Sequence, residues 1–167
     1  MLKTIPLALA SLAIAGCALN PMTPDEFRKG TVLMKKESYT VDRPVAAIAQ
    51  TFRKRAPECL DLNLYTQKQV LVGFNRSPHH AGTSKASVLA SADKVELHVQ
   101  VDYKADLARH PDGGNYYLIA DAQAVGPART RIDVYRAAVR TDVLMEAVKG
   151  WAYGTSQGCP DPKSFLG

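Results

Sequence analysis

The chain has 167 residues, of which 46% are hydrophobic and 22% are charged, and its formal net charge is +5 at neutral pH. This length is enough for one domain with a substantial core. The composition excludes disordered, collagen-like and charge-dominated proteins. The small positive charge is compatible with an anionic partner, although a solvated surface is the simpler interpretation.

The first segment is a short basic start followed by an apolar run over residues 5–15. This run is shorter than the ~20 residues that a membrane-spanning helix needs, and it is typical of a signal-peptide core. It ends in the sequence Ile14-Ala15-Gly16-Cys17. A cysteine thus stands where a secreted protein would have a cleavage site flanked by small residues.

This ending resembles the lipobox of bacterial lipoproteins. The resemblance implies a signal peptide at residues 1–16, cleavage before Cys17 and attachment of lipid to the Cys17 thiol. Because Ala18 follows the cysteine, it also implies an anchor in the outer membrane, with the domain facing the periplasm. An ordinary secretory peptide with a chance cysteine is the alternative.

Residues 17–30 are expected to form the lipidated N-terminus and a tether, because Pro21 and Pro24 favour extended backbone. A single domain is expected over residues 31–167. It begins with a predicted strand at 31–41, followed by a short helix in which Val45, Ile48 and Phe52 recur at helical spacing. Pro57 is predicted to end that helix.

The middle of the chain has strand character. Strands are predicted at 64–75, 84–90, 94–104, 115–125 and 129–138. Loops are predicted at 76–82 and 107–114, and Ser91-Ala92-Asp93 is short enough for a hairpin turn. The strand at 94–104 is the clearest, because apolar and polar residues alternate along it and this indicates one buried and one hydrated face.

The chain returns to helix at about Thr141, which is predicted to be the N-cap, and Gly154 is predicted to end the helix. The element order predicts an α+β domain in which one curved antiparallel sheet of about five or six strands packs on two helices, in the order β-α-β(n)-α. This order is similar to that of helix-grip (START-like) domains, although no sequence signature of those domains is present.

Two further cysteines, Cys59 and Cys159, remain when Cys17 carries lipid. A pair of cysteines in an oxidising compartment predicts one disulfide. No CxxC motif accompanies them, so a redox-active site is the weaker interpretation.

The polar residues give no catalytic pattern. His79-His80 is the only histidine pair and is predicted to lie in a loop, while His98 and His110 lie elsewhere, so no metal site is expected. The sequence contains no nucleophile elbow and no phosphate-binding glycine loop. We therefore expect no enzyme activity and no cofactor.

The sequence favours a non-catalytic structural or interaction module of the cell envelope, held to the membrane by its N-terminal lipid. Its expected partner is an envelope protein or an anionic envelope polymer, and nucleic acid is not expected. The alternative is a periplasmic carrier of lipid or another small apolar ligand. In that case aromatic residues would line a cavity between the sheet and the last helix; the candidates are Tyr116, Tyr117, Tyr135, Trp151 and Tyr153.

Overall fold

The computed structural model describes residues 23–30, 34–67, 78–104, 110–138, 141–155 and 158–162. The order of its elements along the chain is α1 (Pro24–Lys29), β1 (Met34–Val41), α2 (Val45–Leu60), β2 (Leu62–Gln67), β3 (Pro78–Ala90), β4 (Lys94–Tyr103), β5 (Asn115–Gly126), β6 (Arg129–Ala137) and α3 (Asp142–Tyr153).

The strands form one six-stranded sheet in the order β1-β6-β5-β4-β3-β2. Every neighbouring pair is antiparallel. The sheet is open, and β1 and β2 are its two edges. The predicted α+β class, with a single antiparallel sheet and helices packed on it, is confirmed.

The main core lies between α2, α3 and one face of the sheet. Along β4, Val95, Leu97, Val99 and Val101 are all buried, as the alternation in the sequence predicts. The helices contribute large buried side chains to the same cluster, among them Ile48, Phe52, Leu144 and Trp151. We call this side the inner face of the sheet and the opposite side the outer face.

Helix α2 continues past the predicted stop. It runs to Leu60, with Pro57 inside it, so the prediction that Pro57 ends the helix is wrong. Proline removes only its own N–H bond to the carbonyl one turn earlier, that of Arg53. Arg53 is exposed, so water can reach this region, while burial of Cys59 and Leu60 favours one more turn.

The region before β4 also differs from the prediction. Strand β3 begins at Pro78, so residues 78–82, including His79 and His80, are strand and not loop. Pairing with β2 accounts for this extension, because Tyr65 and Thr66 are opposite the two histidines. The predicted strand residues Val70, Val72 and Phe74 lie outside the described residues.

Polar side chains fix both ends of α3. Thr141 makes no side-chain cap bond to the helix; its hydroxyl instead donates to the Ala137 carbonyl and accepts from Arg136 Nη1 at 3.2 Å. At the other end, Gly154 adopts a left-handed conformation with φ 77°. Arg43 Nη1 donates to the carbonyls of Trp151 and Ala152, at 2.9 Å each. These two carbonyl groups in the last turn of the helix therefore have a hydrogen-bond donor.

The predicted cysteine pair is at disulfide distance. The sulfur atoms of Cys59 and Cys159 are 2.03 Å apart, and their Cα atoms are 5.0 Å apart. Cys59 lies in the last turn of α2, because the helix continues past Pro57. The pair therefore joins the end of α2 to the segment that follows α3.

Candidate functional site: the outer face of the sheet

Helix α1 lies against the outer face, and its sequence explains why so short a helix forms. The Thr23 hydroxyl accepts from the Glu26 amide at 3.2 Å, and the Glu26 carboxylate accepts from the Thr23 amide at 2.9 Å. This reciprocal pair is a capping box, and Pro24 occupies the first turn, where its missing N–H costs nothing. Residues 17–30, expected to be a tether, therefore contain a structured helix over Pro24–Lys29.

Phe27 is the apolar contact between α1 and the sheet. It is almost completely buried, and its ring centroid lies 5.7 Å from that of Tyr116. The Tyr116 ring in turn meets His98 edge-on at 5.9 Å. Ile119 is fully buried but lies outside the main core cluster. Together these residues give the outer face a small apolar cluster of its own.

Arg28 makes the polar contact. Its Nε donates to Asp121 Oδ2 at 2.8 Å and its Nη2 to Asp121 Oδ1 at 2.9 Å, while Nη2 also contacts Glu96. Such a two-point contact fixes both the position and the orientation of the guanidinium group. The hydrogen bonds to Asp121 raise the pKa of Arg28 further above its ordinary value, so it stays charged at any relevant pH.

Glu96 is the centre of this charged cluster. Besides Arg28, it contacts Lys94 Nζ at 2.7 Å and His98 Nε2 at 2.9 Å. Burial alone would raise the pKa of Glu96, but hydrogen bonds from Lys94, His98 and Arg28 outweigh that effect and lower it to about 2. The bond to Glu96 also raises the pKa of Lys94. The carboxylate is therefore ionised at neutral pH and engaged by three partners.

This arrangement binds α1 to the sheet. Glu96 and Asp121 come from neighbouring strands and are opposite each other in the β4–β5 register. One guanidinium group can therefore engage both carboxylates at once. The cluster can hold a helix in place, and its ionisable groups are already used in contacts with one another.

The histidines considered as metal ligands in the sequence do not come together. His98 belongs to the outer face, whereas His110 lies before the β4–β5 turn, with Nε2 3.7 Å from Asp102. The side chains of His79 and His80 lie outside the described part. Within the ranges that are described, no group of three or more His, Cys, Asp and Glu side chains is placed to hold a metal ion. Cys17 also lies outside the described residues, so its lipidation stays a prediction.

The five aromatic candidates for a ligand cavity do not converge. Trp151 belongs to the main core, whereas Tyr116 lies on the outer face beside Phe27. The Tyr135 ring lies beneath Lys36 Nζ at 4.9 Å. The remaining two make other contacts: Tyr117 bonds the Tyr103 hydroxyl at 3.2 Å, and Tyr153 stacks on Tyr39 at 5.9 Å.

Sequence reasoning missed Arg28 and Asp121. A signal for the helix was present, because Thr23-Pro24-Asp25-Glu26 has the capping-box spacing with proline after the cap. No local signal links Arg28 to Asp121, which is 93 positions away.

Comparison with known proteins leaves the family open: no protein-family model matches the chain, and no curated protein matches it either. None of the helices in the described part has the length and apolar character needed to cross a bilayer.

Proposed function

We propose that this protein is an outer-membrane lipoprotein whose domain faces the periplasm and acts as a non-catalytic structural or interaction module of the bacterial cell envelope. The lipobox-like sequence ending in Cys17 supports the anchor. The contact of Arg28 with Asp121 and Glu96 is the observation that carries the structural part of the proposal.

The reason is the position of α1 in the chain. It is the first described element after Cys17, and it is fixed to the sheet by a buried aromatic residue and a two-point ion pair. A lipid at Cys17 would therefore be attached to a folded domain through only a few residues. Such a design suits a module held at a defined place on the membrane, where it can bind an envelope protein or an anionic polymer.

Photo-crosslinking in intact cells tests the interaction role. A crosslinking amino acid replaces Arg53, which is exposed on α2, and we expect recovery of a defined envelope protein or polymer. The same substitution in a Cys17→Ser background, which should remain an uncut precursor, controls for placement. Recovery of lipid alone at Arg53 and at other exposed positions would contradict the proposal.

A ligand carrier is the second candidate, and one observation favours it. The indole Nε1 of Trp151 and the hydroxyl of Tyr39 are buried without a hydrogen-bond partner among the described residues. Burial of Tyr39 raises its pKa, so the hydroxyl stays protonated. An acceptor atom of a bound small molecule would satisfy a donor of this kind. Native mass spectrometry of the domain should then detect a co-purified ligand, and a bare protein mass would count against a carrier.

A further inference from the structure

Two hairpin turns lie side by side at one end of the sheet. The amide of Ala124 donates to the carbonyl of Asp93 at 2.9 Å and so ties the β5 end to the β3–β4 turn. Large apolar side chains are exposed there: Leu89 is 56% exposed and Val125 is 48% exposed. Leu89 is paired with Glu96 across β3 and β4, which places it on the same outer face as α1.

Exposed charges of both signs lie near this end of the sheet, because Asp93 in the β3–β4 turn is exposed as well as three cations. Lys85 and Arg129 are exposed, and Arg131 is 55% exposed. The carboxylate of Asp133 is drawn into contacts with Arg131 and Lys36. Exposed apolar side chains with nearby basic residues suit the interface of an anionic bilayer, where apolar groups enter the headgroup region and cations meet phosphates.

Four of the acidic residues of this side are held in contacts of their own. Glu96 and Asp121 are engaged by Arg28. On α1, Glu26 caps Thr23 and Asp25 pairs with Arg28 at 2.9 Å. Their charge is thus partly offset where the surface would approach anionic headgroups.

The short stretch of chain between Cys17 and α1 limits how far the outer face can lie from the bilayer. Only six residue steps separate Cys17 from Thr23, and six extended residues span at most about 20 Å. Because Phe27 and Arg28 fix α1 to the outer face, a lipid on Cys17 must enter the bilayer within that distance of the start of α1. The helices α2 and α3 lie on the far side of the sheet.

We propose that the outer face rests on the surface of an anionic phospholipid bilayer, with Leu89 and Val125 in its interfacial region. This inference depends on the proposed lipid anchor at Cys17. The anchor supplies the attachment, and the outer face sets the orientation of the domain.

Fluorescence quenching in vesicles tests this orientation. The acylated full-length protein is reconstituted in phosphatidylethanolamine–phosphatidylglycerol vesicles that contain a nitroxide-labelled lipid. A fluorophore is attached through Gln123→Cys on β5 or, as the matched control, through Gln50→Cys on α2; both positions are exposed. We expect severalfold stronger quenching at position 123. Equal quenching at the two positions, or stronger quenching at position 50, would overturn the inference.

Two variants test the contact residues. Leu89→Ser combined with Val125→Ser should weaken quenching at position 123, whereas Val143→Ser, at an exposed apolar residue of α3, should leave it unchanged. No loss with the double variant would contradict the assigned contact.

Flotation separates failure of the inference from failure of the proposed function. Protein that carries no lipid and does not float with the vesicles contradicts the anchor itself. Protein that floats but shows no difference between positions 123 and 50 contradicts only the orientation.

Discussion

The Arg28 guanidinium group and the Asp121 carboxylate form a two-point ion pair across 93 positions of sequence, with Nε–Oδ2 at 2.8 Å and Nη2–Oδ1 at 2.9 Å. This pair joins the first described helix to the centre of the sheet. Because α1 follows Cys17 so closely, the same contact connects the expected anchor to the folded domain.

Removing this side chain should destabilise the protein. Arg28 is only 17% exposed, so Arg28→Ala leaves two carboxylates without their shared partner, and we expect a loss of about 1–3 kcal/mol in the free energy of unfolding. Urea denaturation measures this loss, and hydrogen exchange at the Phe27 amide reports release of α1. Arg131→Ala is the matched control, because that exposed ion pair should contribute less than about 1 kcal/mol. Equal losses for the two variants would contradict the account.

The stability of the cluster should depend on pH. The pKa of Glu96 is lowered in the folded protein to about 2 from 4.5, so its contribution is fully present above pH ~4.5 and is lost as the pH falls towards 2. Urea midpoints measured from pH 6 to pH 2 should therefore fall less steeply for Glu96→Gln than for the wild type. Glu58→Gln, at an exposed residue of α2, should keep the wild-type slope. Identical slopes for Glu96→Gln and the wild type would show that contacts in the folded protein do not lower the pKa of Glu96.

The end of α3 gives a test of local packing. A Cβ atom at Gly154 would lie 3.0 Å from Arg43 Cζ, and the residue has φ +77°. Gly154→Ala should therefore lower stability by about 1–2 kcal/mol, through backbone strain and displacement of Arg43. Gly158→Ala meets nothing within 4 Å and should leave the melting temperature almost unchanged. Thermal unfolding compares the two, and equal effects would argue against the Arg43 contact.

The cysteine pair predicts a covalent link. In the unfolded protein without reductant, an alkylating reagent should modify neither Cys59 nor Cys159. Replacing either one with serine should cost ~2–4 kcal/mol of stability, because the unfolded chain gains freedom when a long loop opens. The double variant should lose no more than the single variants. Labelling of both thiols before reduction would contradict the disulfide.

The sequence predicts the elements in which apolar residues recur at the regular spacing of a strand or a helix. In β4, alternating apolar residues place Val95 and Leu97 on the inner face and Glu96 on the outer face, as observed. The prediction of a hydrated outer face is wrong at His98, which is buried beside Tyr116. In α2 the helical spacing of Ile48 and Phe52 predicts the buried stripe. Burial of Leu60 in the core extends α2 beyond Pro57. The residues near Pro57 in the sequence do not reveal this stabilising tertiary contact.

The candidate site depends on long-range placement, which local rules do not supply. Glu96 and His98 lie on one predicted strand face, but their role depends on a helix far away in the sequence. Arg28 reaches Asp121 only because β4 and β5 pair in one register and α1 packs across them. A capping-box pattern could have revealed α1 itself, whereas nothing near Arg28 identifies its partner.

Mass spectrometry of the tryptic peptide that contains Cys17, from the membrane-extracted protein, tests the lipid anchor. Trypsin cleaves after Lys3 and Arg28 and at no residue between them, so the first residue and the mass of the peptide that contains Cys17 show whether the chain was cut there and acylated. We expect a peptide that starts at Cys17, ends at Arg28 and carries acyl chains on Cys17. A peptide in which the Cys17 thiol is free, whether it starts at Thr4 or at a later residue, would contradict the anchor.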